Sequence, residues 1–184
     1  MKSIATFGFC LPNKGFANLI HAISHLRDEN IYINLNMYTS MYSPRYKYLI
    51  TEYRELIHHL HLDDQINFSS EYYPDEKLLK LLSINDLIVF PYENSGESSS
   101  ASVRYALATL KPVLVTPSTI FSDVSKIVNF TTGFSSRDIA FGIKSFFETE
   151  CDNGFINRET IINNRRFSIL SKRFYSMIKS LEIN

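Results

Sequence analysis

The sequence predicts a Rossmann-like α/β domain, an open parallel sheet of about six strands with helices on both faces. Two observations lead to this fold class. Short apolar runs alternate with amphipathic helical patterns at a spacing of about 25 residues, which is typical of right-handed βαβ units. The most continuous apolar run, Leu87–Phe90, has the composition of a central strand that is buried on both faces of a parallel sheet.

The strands are predicted where apolar residues run together or alternate with polar ones. The six segments are residues 4–9, 32–38, 66–68, 87–90, 113–116 and 128–131. Open parallel sheets bind their ligands at the carboxyl ends of the strands. The candidate functional loops therefore follow Phe9, Tyr38, Phe68, Pro91 and Thr116.

Helical periodicity fills the intervening segments. The first helix follows Gly15, the second covers about residues 44–61, and Pro74 opens a third because proline is favoured in the first turn of a helix. Residues 138–147 form a further predicted helix. The remainder, residues 157–181, is predicted to be helical, with an apolar stripe that packs on another surface.

Composition limits the possible functions. The chain has 184 residues, 45% of them hydrophobic, which is enough for one domain over residues 1–184 with its own core. Lysine plus arginine equals aspartate plus glutamate at 19 each, so we expect no nucleic-acid partner. Cys10 and Cys151 lack the spacing of a zinc site, and no apolar run is long enough for a signal peptide or a membrane span. We therefore expect a soluble, cytoplasmic protein.

The segment PYENSGESSSASVRYALATLKPVL, residues 91–114, concentrates the functional signals. Its pattern predicts a strand end, a loop, a helix and a further strand. Ser98, Ser99 and Ser100 offer amides and hydroxyls at a helix N-terminus, where they can bind a phosphate or cap the helix. The chain contains no Walker A loop and no GxGxxG motif, which argues against ATP hydrolysis and ordinary dinucleotide binding.

A set of residues in a fixed order gives a family resemblance. In chain order they are Gly8, Lys14-Gly15, Glu97, Ala106, Ala108 and Lys111-Pro112-Val113. A leucine-rich helix also precedes the strand that ends at Pro91. This order and spacing resembles the C-terminal, donor-binding domain of GT-B glycosyltransferases of family 4, also called glycosyltransferase group 1. The resemblance spans most of residues 4–123 and implies one half of a GT-B fold.

The resemblance implies a nucleotide-diphosphate sugar, UDP- or GDP-linked, as the donor substrate, with no cofactor and no metal. It implies catalytic roles for Lys14, whose ammonium would stabilise the departing diphosphate, and for Glu97, which would accept hydrogen bonds from the donor sugar. The donor-binding residues that it implies are Gly8, Gly15, Ser69, Ser70, Tyr72, Ser98, Ser99, Ser100 and Arg104.

Three positions depart from the family pattern. Tyr105 stands where the family has a second glutamate that faces the ribose, Phe9 replaces an arginine, and Leu110 replaces a glycine. Arg104 is a candidate for the missing positive charge at the diphosphate. The alternative is that Arg104 pairs with a surface acid such as Glu93.

The implied reaction is transfer of the sugar, with retention, to an acceptor glycan or lipid-linked glycan in surface polysaccharide or glycoconjugate biosynthesis. An N-terminal domain absent from these residues would bind the acceptor, so we expect the chain alone to show little or no activity. The resemblance also allows peripheral membrane association of the full enzyme. The alternatives are a non-catalytic nucleotide-sugar-binding module or partner subunit of a split glycosyltransferase, and a flavodoxin-like cofactor binder, which would be coloured.

Overall fold

The computed structural model describes residues 1–93, 99–149 and 155–181. Its six strands are all parallel and form one sheet in the order β3-β2-β1-β4-β5-β6. The strands are β1 (Lys2–Cys10), β2 (Ile33–Met41), β3 (Ile66–Ser69), β4 (Leu87–Phe90), β5 (Val113–Val115) and β6 (Asn129–Phe130). The Rossmann-like fold class predicted from the sequence is confirmed.

Seven helices connect or follow these strands within the described residues. They are α1 (Phe16–Asp28), α2 (Lys47–His59), α3 (Asp75–Ser83), α4 (Ala101–Ala108), α5 (Ser136–Thr149), α6 (Phe155–Asn164) and α7 (Phe167–Leu181). Two 3₁₀ turns, Pro44–Tyr46 and Thr119–Val124, complete the connections.

The sheet separates two hydrophobic cores. Along β4, Leu87 and Val89 belong to the core under α1, α2 and α5, whereas Ile88 and Phe90 belong to the core under α3 and α4. All four side chains are at most 1% exposed. Because successive side chains of a strand point to opposite faces, a strand covered on both sides has to be apolar at every position. This explains the uninterrupted run from which the central strand was predicted.

The strand order places a crevice at the middle of the sheet. The chain moves from β1 to β2 and β3 on one side, then returns to β4 on the other side of β1. The loops that leave β1 and β4 therefore diverge from neighbouring strand ends, with α1 on one face of the sheet and α4 on the other. This is the topological switch point at which open α/β sheets bind ligands.

Two predicted helical segments differ from the structure. The pattern over residues 44–61 begins as a 3₁₀ turn, and the α-helix starts only at Lys47. The single helical region over residues 157–181 is divided between α6 and α7 at Arg165 and Arg166. Arg165 donates through its side chain to the backbone carbonyl of Asp123 at 3.2 Å, which ties the end of α6 to a distant turn.

The apolar stripe of the C-terminal helices has only partial cover. Ile161 and Ile162 of α6 pack against the core under α4. On α7, by contrast, Phe167 is 86% exposed and Phe174 is 65% exposed, so the packing predicted for this helix is not found among the described residues. None of the described helices has the length and apolar content to cross a lipid bilayer.

The C-terminal end of α4 contains a left-handed residue. Leu110 has φ of 61°, two positions after the last residue of the helix, and its amide donates to the Leu107 carbonyl at 3.0 Å. Glycine is favoured at such positions because a Cβ disfavours positive φ. This explains why the resembled family has glycine at the position of Leu110.

Replacing this residue tests the conformation directly. We expect Leu110→Gly to raise the free energy of unfolding by about 1 kcal/mol because it removes the penalty of a left-handed residue that has a Cβ. Urea denaturation of the variant and the wild type measures the change. Leu110→Ala is the control, since it keeps the Cβ; an equal gain in both variants would contradict the explanation.

Candidate functional site

The loop after β1 is packed directly on the chain that leaves β4. Gly15, which precedes the first residue of α1, has φ of 66°, and a Cβ built on it would lie 1.8 Å from the carbonyl oxygen of Pro91. Only glycine fits there without moving one of the two loops. The Glu93 amide also donates to the Asn13 carbonyl at 2.9 Å. The contact fixes both loops at the switch point of the sheet.

Lys14 lies in this contact. Its ammonium nitrogen is 4.0 Å from the centroid of the Tyr92 ring, which is a cation–π distance. Tyr92 is 1% exposed, and its backbone carbonyl accepts a hydrogen bond from the Thr116 hydroxyl at the end of β5. A positive charge is therefore positioned beside the strand ends by a buried aromatic ring.

Gly8 brings β1 close to the first turn of α4. Its φ is 144°, and a Cβ built on it would be 3.4 Å from the Tyr92 hydroxyl and 3.5 Å from the Ser102 hydroxyl. The space would admit a Cβ, but the backbone conformation favours glycine. The strand end and the helix N-terminus thus approach each other across the crevice.

A cavity of about 230 Å³ opens beside Gly8. The ends of β1 and β2, the connection from β3 to α3, and the first turns of α4 form its walls. Its lining residues are Phe7, Gly8, Phe9, Tyr38, Ser40, Glu71, Tyr72, Tyr73, Asp75, Leu78, Ala101, Ser102 and Tyr105. Aromatic rings and a few polar groups at strand ends are typical of a small-molecule site.

The aromatic walls of the cavity are held by contacts to one another. The Tyr38 and Tyr73 rings meet edge to face with their centroids 5.8 Å apart. Tyr73 also shares a hydrogen bond of 2.8 Å with the Ser69 hydroxyl, while Ser70 accepts from Arg54 at 3.3 Å. Tyr72 is 73% exposed and lines the cavity. Of the predicted residues after β3, Tyr72 therefore contacts the cavity and Ser69 orders its wall.

A carboxylate lies next to Tyr105, the residue that stands where the resembled family has its second glutamate. The Tyr105 hydroxyl donates to Asp75 Oδ2 at 2.8 Å, which joins α4 to the first residue of α3. This hydrogen bond to a carboxylate raises the pKa of Tyr105 above its ordinary value. Asp75 has no counterpart among the residues predicted from the sequence.

The serine-rich helix start is only partly within the described residues. Glu97 and Ser98 lie outside them. Ser99 is exposed, and Ser100 is 4% exposed and caps α4 by accepting the Val103 amide at 3.3 Å. A helix cap was one of the two roles predicted for these serines, and it is the role that Ser100 has in the structure.

Arg104 pairs with a surface acid, as the alternative predicted, but the acid is Asp123 and not Glu93. Its guanidinium pairs with the Asp123 carboxylate and donates to the Ser100 carbonyl at 2.7 Å. Arg165 lies 3.9 Å from the same carboxylate. Arg104 also lines a separate cavity between α4 and α6 and is not among the residues that line the cavity at the strand ends. The surface acid expected to pair with it, Glu93, instead accepts from Asn18 at 3.4 Å.

Several solved glycosyltransferase structures have a backbone fold similar to that of this chain. HepE from Anabaena in complex with UDP superimposes with a TM-score of 0.75 at 17% identity, over 97% of this chain and 48% of that one. A glycosyltransferase from Rickettsia africae gives a TM-score of 0.78 at 19% identity, over 100% of this chain and 48% of that one. The C-terminal domain of a group 1 glycosyltransferase, LpcC from Francisella tularensis, gives 0.71 at 16% identity, over 90% and 86% of the two chains.

These similarities decide the fold. The chain has the fold of one half of a GT-B glycosyltransferase. It spans about half the length of the first two structures. No family model matches the sequence, and no curated protein matches it significantly.

Several residues of this GT-B half were missed by the sequence prediction. Ser40, Glu71 and Asp75 line the cavity, and none of them was named as a site residue. The signal that could have found Asp75 is its place in the first turn of α3, directly after one of the candidate functional loops. Its hydrogen bond to Tyr105 joins residues 30 positions apart, which no local pattern shows.

The contact between Gly15 and Pro91 gives a stability prediction. We expect Gly15→Ala to lower the free energy of unfolding by more than about 2 kcal/mol, because the new Cβ meets a backbone carbonyl and the residue has positive φ. Urea denaturation measures the loss. Asn13→Gly is the matched control in the same loop, since Asn13 also has positive φ, and we expect a change of less than about 1 kcal/mol. Equal stability of Gly15→Ala and wild type would contradict the packing described here.

Proposed function

We propose that the chain is the donor-binding half of a glycosyltransferase of family 4, and that it binds a UDP- or GDP-linked sugar at the carboxyl ends of the strands. The observation on which this depends is the position of Lys14 at the switch point, between the loops that leave β1 and β4. Lys14 does not line the cavity, but its ammonium lies over the ring of Tyr92, whose hydroxyl approaches Gly8 in the cavity wall. HepE, of similar fold, has been solved with UDP and with UDP-glucose, which supports a uridine nucleotide as the first ligand to test.

The chemistry follows from the charges that would meet there. When a sugar leaves a nucleotide diphosphate, negative charge develops on the departing phosphate, and a nearby ammonium stabilises it. The ring of Tyr92 restricts the position of Lys14 before the ligand binds. Glu97 is proposed as the acceptor for the hydroxyls of the donor sugar. The reaction transfers that sugar, with retention, to an acceptor glycan or lipid-linked glycan in surface polysaccharide or glycoconjugate biosynthesis.

A second GT-B half would supply the acceptor site, since the chain spans about half of HepE. The chain alone should therefore bind the donor and show little or no turnover. Addition of an acceptor-binding half in trans, with product followed by mass spectrometry, tests the catalytic part of the proposal.

One observation favours a non-catalytic relative of such enzymes. Arg104, the candidate for the second cation at the diphosphate, is paired with Asp123, and Phe9 replaces the family's arginine. A partner subunit that binds a nucleotide sugar without transferring it is consistent with this loss of charge. Nucleotide binding with no turnover after an acceptor half is supplied would support this second function.

Titration calorimetry with UDP, GDP and their glucose conjugates tests donor binding. We expect Lys14→Ala to weaken binding of the preferred nucleotide diphosphate at least tenfold, because a contact between charged groups is lost. We expect Glu97→Ala to weaken binding of the sugar-linked form while leaving binding of the plain diphosphate within about twofold.

Lys126→Ala is the control for Lys14→Ala, since Lys126 is exposed beyond the second 3₁₀ turn, and it should bind like the wild type. No binding of either nucleotide by the wild-type chain, alone or with an acceptor half, would overturn the proposed function. If Lys14→Ala and Lys126→Ala bind the nucleotide diphosphate with equal affinity, Lys14 does not contribute to the binding site.

A further inference from the structure

The hydrogen bond between Tyr105 and Asp75 lies in the wall of the cavity at the strand ends. Both residues line this cavity, and the phenol donates to Asp75 Oδ2 at 2.8 Å. The Tyr105 ring is itself located by an edge contact with Phe7, at 6.2 Å between centroids. The pair connects α3 and α4, which both contribute residues to the cavity wall.

Within the described residues, the Asp75 carboxylate has fewer hydrogen-bond and ion-pair partners than the carboxylates of Asp138 and Asp123. An ionised carboxylate has about four acceptor positions. Asp138 accepts from Thr132 and Ser135, and Asp123 pairs with two arginines. Over residues 1–93, 99–149 and 155–181, Tyr105 is the one donor to Asp75, and no lysine or arginine pairs with it.

The pKa of Tyr105 reflects its hydrogen bond to Asp75. A phenol that donates to a carboxylate is stabilised in its protonated form, and the Tyr105 pKa is accordingly raised, with the hydrogen bond to Asp75 as the largest cause. The remaining lone pairs of Asp75 are suited to hydroxyl groups, which donate to carboxylates through short, strong hydrogen bonds.

The other walls of the cavity indicate which kind of ligand would supply hydroxyl groups to Asp75. Tyr38 and Tyr73 present aromatic rings to the same cavity. A ligand that combines a flat ring with two adjacent hydroxyls fits this combination, and a ribonucleoside has both. At about 230 Å³, the cavity is smaller than the 300–1,000 Å³ typical of drug-sized ligands, so it suits one part of a nucleotide rather than the whole of it.

We infer that Asp75 accepts hydrogen bonds from the vicinal ribose hydroxyls of the bound nucleotide, and that Tyr105 positions its carboxylate to do so. The inference rests on the proposed function, because it requires a nucleotide in the cavity. It adds a specificity: the site distinguishes a ribonucleotide from a nucleotide that lacks the two hydroxyls. Asp75 contacts the ligand, whereas Tyr105 acts through Asp75.

The test is a ratio of two dissociation constants measured for each variant. UDP is compared with 2′,3′-dideoxy-UDP by titration calorimetry, and GDP with 2′,3′-dideoxy-GDP in parallel. We expect the wild type to prefer the ribonucleotide by about tenfold, Asp75→Asn to reduce the preference to about twofold or less, and Tyr105→Phe to give an intermediate value. Tyr105→Phe keeps the ring against Phe7 and removes only the hydroxyl.

Glu76→Gln is the matched control. It removes one negative charge from the adjacent residue of α3, where Glu76 pairs with Lys80 at 2.7 Å on the exposed side of the helix and does not line the cavity. We expect its preference to equal that of the wild type. Partial unfolding of a variant weakens both ligands by the same factor, so it leaves the ratio unchanged.

The outcomes separate this inference from the proposed function. If the wild type binds UDP or GDP but does not prefer it to the dideoxy form, or if Asp75→Asn keeps the full preference, the inference is overturned and the proposed function stands. If neither UDP nor GDP binds, both are overturned. An equal loss of preference in Glu76→Gln and Asp75→Asn would show an effect of general charge and would also overturn the inference.

Discussion

The contact between Gly15 and Pro91 is the constraint on which the candidate site depends. It joins two loops that the topology sends to opposite faces of the sheet, and it leaves no room for a side chain. Lys14 precedes this glycine, and Tyr92 follows this proline, so the contact also sets the distance between the ammonium and the buried ring. The ammonium of the proposed site is thus located by packing of backbone on backbone between the two loops.

A second pairing, between α3 and α4, completes the same end of the sheet. Tyr105 joins the two helices through Asp75, and Ser100 caps α4 with its own hydroxyl. The starts of α3 and α4 therefore form part of the cavity wall, and the first amides of a helix have no partners within the helix itself. Polar ligands are favoured at such a place for that reason, and the surrounding aromatic rings limit their access to water.

The sequence was sufficient for the fold because the fold depends on local patterns. The apolar run of β4 corresponds to a strand that is buried on both faces. Gly15, at the end of the first loop, stands where the backbone packs against the Pro91 carbonyl. The site was only partly predictable. The partner of Arg104 is 19 residues away on the second 3₁₀ turn, and that of Tyr105 is 30 residues away on another helix. The division between α6 and α7 contains no glycine or proline, so no breaker residue indicated it.

The short connection from β3 to α3 has a consequence for how specificity can change. It is anchored at its start, where Thr39 donates to the Ser69 carbonyl at 3.2 Å, and α3 is anchored at its end, where Asn85 accepts from Asn36 at 2.8 Å. Between these anchors lie Tyr72 and Asp75, far along the chain from Lys14. Under the proposed function, substitutions in this connection would alter which nucleotide is recognised and leave Lys14 unchanged. Under the same proposal, donor preference could change during evolution by exchange of this one small loop, independently of the loop that contains Lys14.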